Sequence, residues 1–247
     1  MESTLYAQDG TLRDTAPAES IYTDGTYLRN NPGWHRGDSA WKARHVKAIL
    51  DRNGIAAHTV CEVGCGAGEI LRNLGELMPP DTRFHGYEIS PDAYRLCSQW
   101  AGERFRFLLA DLLEEDVHFD VALAIDVFEH VEDYFSFLRR LRARARHKVF
   151  HIPLDLSALA VLRGRPLERL WRSVGHIHHF TKDTALAALE DTGYKVLDFS
   201  YTSGRTDLPD LGWKTQLLKW PRKAFHAMAP DAAARVLGGY SLLVLAE

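Results

Sequence analysis

The chain has 247 residues, a length that suits one α/β domain with a small cap rather than two independent domains. Apolar residues make up 46%, ample for a buried core, and a net charge of −3 excludes the global basic excess of a nucleic-acid binder. Cys61, Cys65 and Cys97 are odd in number and lack CxxC spacing, which argues against a disulfide framework or a zinc site and for a reducing cytoplasm.

Met1 to Glu19 is polar and acidic, without the basic start and apolar stretch of a signal peptide, and no apolar run is long enough to span a bilayer. A cytoplasmic protein with no membrane insertion is expected. Residues 1–37 carry many turn formers together with Tyr22, Tyr27 and Trp34, and read as an irregular arm, either a tail or a cap folded over a site. The domain proper starts at 38, where Asp38 or Ser39 can cap a helix to about Arg52 whose Trp41, Val46, Ile49 and Leu50 form an apolar stripe. Thr59 to Val63 is a short strand running into Gly64-Cys65-Gly66-Ala67-Gly68, after which Ile70, Leu71, Leu74 and Leu77 repeat at helical spacing. Arg83 to Tyr87 is a second strand ending at Glu88, with Ser90 and Pro91 starting a helix. Strands then follow at Phe105 to Ala110, Phe119 to Ile125 and Lys148 to Ile152, with a helix from about Asp133 to Ala143. Leu154 to Val174 weakens into an arginine-rich insertion over the sheet edge. A helix from Thr181 to Thr192, a strand from Lys195 to Tyr201, short helical patterns over 202–239 and a last strand from Tyr240 to Ala246 close the chain. The alternation predicts a Rossmann-like α/β fold, a mostly parallel sheet with helices on both faces, whose ligand sits outside the carboxyl ends of the strands.

A glycine loop between strand and helix lets backbone approach a ligand closely. A dinucleotide fingerprint would place glycine or alanine at position 69, but Glu69 stands there, at the helix end where a pyrophosphate would sit. No GKS or GKT follows the glycines, so the loop is not a P-loop. Glu88 lies about twenty positions after the loop, where a carboxylate can accept from both hydroxyls of a ribose, and Asp111 is placed to accept from an adenine amino group. Each has an alternative as a helix cap or loop residue.

In this order Glu62-Val63-Gly64-Cys65-Gly66-Ala67-Gly68, Glu88, Asp111 and Asp126-Val127-Phe128-Glu129-His130-Val131 resemble class I S-adenosylmethionine-dependent methyltransferases, in the small-molecule branch that includes ubiquinone-type enzymes. The resemblance covers about residues 39 to 200. It implies a seven-stranded sheet whose last strand inserts antiparallel, and S-adenosylmethionine as cofactor. It also implies Gly64, Cys65, Gly66 and Gly68 under the methionine part, Glu88 with Ile89 at the ribose, and Asp111 with Leu112 at the adenine. Glu62 would support the loop and Asp126 would lie near the amino end. Asn30-Asn31-Pro32-Gly33-Trp34-His35 and Gly238-Gly239-Tyr240 look like a pattern in bacterial members, in which Trp34 and His35 would lie near the sulfonium.

Methyl transfer needs alignment and, for a hydroxyl or amine acceptor, a base. His176, in Gly175-His176-Ile177-His178-His179-Phe180-Thr181, is the first candidate, with buttressing of the loop as its alternative. His130 is the second catalytic candidate, facing cofactor or acceptor, and His151 at the end of the fifth strand is a weaker one. His178 and His179 raise the question of a metal, but no acidic residue has ligand spacing to them, and none is expected. Arg139 to Arg146 reads as a solvated face, whereas Arg163, Arg165 and Arg169 near the acceptor side could recognise a phosphate or carboxylate. The expected activity is methylation of oxygen or nitrogen on a small molecule such as a sugar, lipid precursor or secondary metabolite. A cofactor-binding regulatory protein is the alternative. A nucleic-acid methyltransferase is disfavoured because Asp126-Val127-Phe128-Glu129 replaces the Pro-Pro-aromatic pattern of base amine methylation, and no nucleic-acid partner is expected.

Overall fold

In the computed structural model of the protein, Arg29, residues 36–208 and residues 213–247 are described. Strands and helices alternate along them. α1 (Ser39–Arg52) leads into β1 (Thr59–Val63), α2 (Glu69–Leu77), β2 (Arg83–Glu88), α3 (Pro91–Cys97) and β3 (Phe105–Leu109). β4 (Phe119–Ile125), α4 (Tyr134–Arg142) and β5 (Ala145–Pro153) follow, then α5 (Ala158–Arg163), α6 (Arg165–Val174), α7 (Lys182–Asp191) and β6 (Val196–Thr202). α8 (Gly204–Asp207), α9 (Trp213–Met228), α10 (Pro230–Leu237) and β7 (Ser241–Ala246) complete the order.

The strands form one seven-stranded sheet in the order β3-β2-β1-β4-β5-β7-β6. Its first five members pair in parallel, and β7 inserts antiparallel between β5 and β6, as the resemblance implied. Period-two alternation assigns the strand side chains to two cores. In β4, Val121, Leu123 and Ile125 join the cluster under α1 and α2, while Ala122 and Ala124 join the one under α4, α7 and α10. An interior strand buried on both faces reads as a continuous apolar run, which is what residues 121–125 are.

Local chemistry explains most element ends. Ser90 accepts from the Ala93 N–H, with Pro91 in the first turn of α3, and Asp133 accepts from the Ser136 N–H at the start of α4. At the start of α1 the expectation fails. Asp38 stands at the cap position but makes no side-chain cap bond, because its carboxylate pairs with Lys42 one turn on at 3.0 Å. β5 also begins three residues before the predicted Lys148, because Ala145 and His147 already pair with Phe119 and Val121 of β4. The arginine-rich stretch forms two short helices. Ser157 caps α5 by accepting from the Ala160 N–H, and Gly164 separates it from α6.

Candidate functional site

At the carboxyl ends of β1, β2, β4 and β5 lies a cavity of about 470 Å³. The turn after β1 forms its floor. Gly64, Gly66 and Gly68 all have positive φ, so the loop coils tightly and brings Gly64 to Ala67 to the cavity wall. A Cβ on Gly68 would lie 2.8 Å from the Phe107 ring and 2.9 Å from Cys97 Cβ, so the start of α2 is wedged against α3 and β3.

Glu88 ties this loop to β2. Its Oε2 accepts from the Gly66 N–H at 2.7 Å and its Oε1 from the Ser90 N–H at 2.8 Å. Burial pushes its carboxyl up against the opposing pull of those N–H groups. Glu62 is more deeply enclosed, has an oxygen with no partner among the described residues, and is raised well above the usual carboxylate range by burial.

On the other side of the floor, Asp126 follows β4 with a φ of 53°, the one positive φ outside glycine among the described residues. Such backbone costs about 1–3 kcal/mol and persists where its surroundings over-determine it. Here Asp126 Oδ2 meets Lys42 Nζ at 2.7 Å, Oδ1 meets His151 Nδ1 at 2.6 Å, and its N–H donates to the His151 carbonyl. Burial would raise this carboxyl, but the attraction of His151 and Lys42 outweighs it and keeps Asp126 ionised well below the usual range. Burial likewise opposes the Lys42 charge, and the Asp126 and Asp38 carboxylates overcome it.

The opposite wall comes from the turn after β4, the end of β5, α6 and the loop before α7: His130, Val131, Pro153, Leu170, Val174 and His176 line it. His130 Nδ1 lies 2.9 Å from the Gly175 carbonyl. A carbonyl only accepts, so Nδ1 carries the proton. Burial first, and His176 next, lower this imidazole to about 4. His176 Nδ1 lies 2.6 Å from Asp155 Oδ2, and the two imidazoles meet edge to face with centroids 4.8 Å apart.

A family model described as a methyltransferase domain matches residues 34–198, most of the chain. The chain belongs to the class I S-adenosylmethionine-dependent methyltransferases. No curated protein matches it. Among solved structures it is similar to magnesium protoporphyrin IX methyltransferase from Synechocystis PCC 6803 with bound S-adenosylhomocysteine, at 17% identity over 92% of this chain and 98% of that one, with a TM-score of 0.63. The plantazolicin methyltransferase BpumL in complex with a monoazolic desmethylPZN analogue and S-adenosylhomocysteine matches at 15% identity, 93% and 92% coverage and a TM-score of 0.57. The cyclopropane synthase MmaA2 from Mycobacterium tuberculosis matches at 15% identity, 76% and 78% coverage and 0.55. At these identities the likeness is one of fold.

This cavity gathers most of the residues singled out in sequence. Glu62, Gly64, Cys65, Gly66, Glu88, Ile89, Asp126, His130 and His176 all line it. Gly68 sits buried just behind, at the start of α2. Asp111 and Leu112 are next to Glu88, through the Ala110 N–H bond to the Glu88 carbonyl, but outside the lining. There Asp111 accepts from the Leu113 N–H and Leu112 is fully buried. Trp34 and His35 lie outside the described residues. His178 turns away and bonds the Val131 carbonyl. Arg163, Arg165 and Arg169 are exposed and outside the lining.

Sequence reasoning missed Lys42, Asp155 and the role of Glu129. Lys42 sits among the apolar residues of an amphipathic helix, and its i, i+4 spacing from Asp38 was the only local hint. Asp155 lies 21 positions from His176, so no local spacing joins them. Glu129, His130 and His176 each offer a ligand atom within 4.8 Å of the others, and both oxygens of buried Glu129 lack a hydrogen-bond partner among the described residues, with His130 Nε2 3.8 Å from Oε1. No helix of the described residues is long and apolar enough to cross a membrane.

Proposed function

We propose that the protein transfers a methyl group from S-adenosylmethionine to an oxygen or nitrogen of a small molecule, with His176 as general base and Asp155 as its positioning residue. The observation that carries this is the 2.6 Å bond from His176 Nδ1 to Asp155 in a cavity that also holds the glycine loop. A carboxylate on Nδ1 leaves Nε2 as the atom that takes a proton. Bound S-adenosylmethionine supplies an electrophilic methyl on a sulfonium and leaves as S-adenosylhomocysteine. Glu88 and the loop amides bind, Lys42 and Asp126 present opposite charges toward the amino-acid end, and the acceptor's proton passes to His176 as its new bond forms. Val131, Leu170 and Val174 make the acceptor side apolar, which suits a lipid precursor or secondary metabolite better than a bare sugar.

The test is transfer of isotopically labelled methyl into a metabolite extract, read by mass spectrometry, with Glu88→Ala as the cofactor-site control. With the acceptor in hand, His176→Ala is expected to lower kcat by about 10²–10⁴ while S-adenosylhomocysteine affinity stays put. Asp155→Asn should lower kcat and move its pH profile. Unchanged kcat in both variants would remove the base assignment.

A second reading is favoured by the Glu129, His130 and His176 cluster. A divalent cation there would fasten an acceptor oxygen, with His176 as ligand rather than base and Asp155 orienting it from behind. Activity abolished by a chelator and restored by a divalent ion selects this reading; activity indifferent to the chelator selects the base.

A further inference from the structure

The helices over the acceptor side carry chemistry that methyl transfer does not use. In α6, Leu167, Leu170, Trp171 and Val174 fall at i, i+3, i+4 and i+7, a single apolar stripe flanked by Arg165, Arg169 and Arg172. Two of these, Leu170 and Val174, line the cavity, yet Trp171 is 55% exposed and no residue of α6 is buried. The stripe therefore runs from the cavity wall out into solvent. α5 packs against α6 and α10, and α10 against α9. On this same unit Leu162 is 82% exposed, Trp220 78% and Met228 86%. Large apolar side chains so far out in water are tolerated singly, but several on one helical unit mark an interaction surface.

Charge says what the surface meets. Residues 158–174 and 219–237 contain eight Lys and Arg against two Asp and Glu, a net of +6 in a chain whose total is −3. A cationic, amphipathic surface with Trp and Leu at its apolar tips is the pattern of a helix lying in the plane of an anionic bilayer.

We propose that α5, α6, α9 and α10 form a docking face for the anionic surface of a membrane, which brings the mouth of the cavity to the lipid headgroups. Lipid-proximal acceptors then reach the apolar wall made by α6 without crossing water. None of the described helices spans the bilayer: they lie on it.

The experiment is co-sedimentation of the full chain with phosphatidylcholine vesicles and with mixed phosphatidylcholine–phosphatidylglycerol vesicles, at low and at raised salt. Binding is expected only to the mixed vesicles, weakened by salt. Arg165→Glu with Arg169→Glu should weaken it tenfold or more, since each basic residue at such a surface is worth about fivefold. Leu162→Glu with Trp171→Glu should abolish it while S-adenosylhomocysteine affinity, measured by calorimetry, is retained. A chain that binds S-adenosylhomocysteine but sediments with neither vesicle overturns the proposal. So does a concentration-dependent dimer, dissolved by the same Leu162 and Trp171 changes, in a chain that ignores vesicles. Because the readout is sedimentation, it stands or falls apart from methyl transfer.

Discussion

Lys42 is a buried cation in the cavity wall, at what is proposed as the amino-acid end of the cofactor. An ammonium this enclosed survives because two carboxylates flank it, and it keeps a third N–H for a ligand. Lys42→Met is expected to weaken S-adenosylhomocysteine about tenfold or more, the worth of a charge-assisted bond, and to leave methylthioadenosine, which lacks the amino-acid end, nearly unaffected. Calorimetry with both ligands checks this; equal losses would mean that Lys42 only props α1. Glu62 makes the opposite case. Burial raises its folded carboxyl above 4.5, so the native state holds the proton where the unfolded chain releases it. The stability it confers is present below the unfolded value and fades as pH rises through the folded one, by up to about 1.4 kcal/mol per pH unit. Glu62→Gln keeps the neutral form, and its Tm advantage over the parent should widen as pH climbs from 4.5.

Element ends position the chemistry, and the turn from β1 into α2 is the least tolerant of them. Gly68 needs a left-handed φ of 75° and has the Phe107 ring and Cys97 where a side chain would go. Gly68→Ala is expected to cost about 1–3 kcal/mol from backbone strain alone, seen as a lower Tm, and to weaken S-adenosylhomocysteine by displacing the loop amides. A neutral substitution would mean that the loop has room to reshape. Such ends were legible in sequence, since a strand, a glycine loop and an amphipathic helix are each local patterns. So was Glu88, which has a fixed place at the end of β2. Lys42 was not, because a lysine on an apolar stripe looks like a snorkelling side chain until Asp126 is brought to it by β4.

The cavity draws on the whole molecule: its walls come from α1, from the ends of β1, β2, β4 and β5, and from α6. A ligand that bridges them binds the folded state alone. Saturating S-adenosylhomocysteine should therefore stabilise global unfolding, by about 2.7 kcal/mol at a hundredfold excess over Kd, and raise Tm by several degrees. Scanning calorimetry with and without ligand checks it, and an unmoved Tm beside tight binding would place the ligand on a segment that unfolds separately. The two cores on either face of the sheet were readable as apolar runs, and the antiparallel entry of β7 came with the family resemblance.

By itself the sequence determined the α/β order, the glycine loop and the acidic residue ending β2, because all three are written in spacings of a few residues that backbone geometry converts directly into structure. Only the tertiary structure decided the pairings His176 with Asp155, Asp126 with Lys42 and His151, and Glu129 with His130 and His176. Each needs residues from different elements, as where Glu129 and His130 in the turn after β4 meet His176 before α7, and which side chains meet there depends on strand order and loop path rather than on any local pattern.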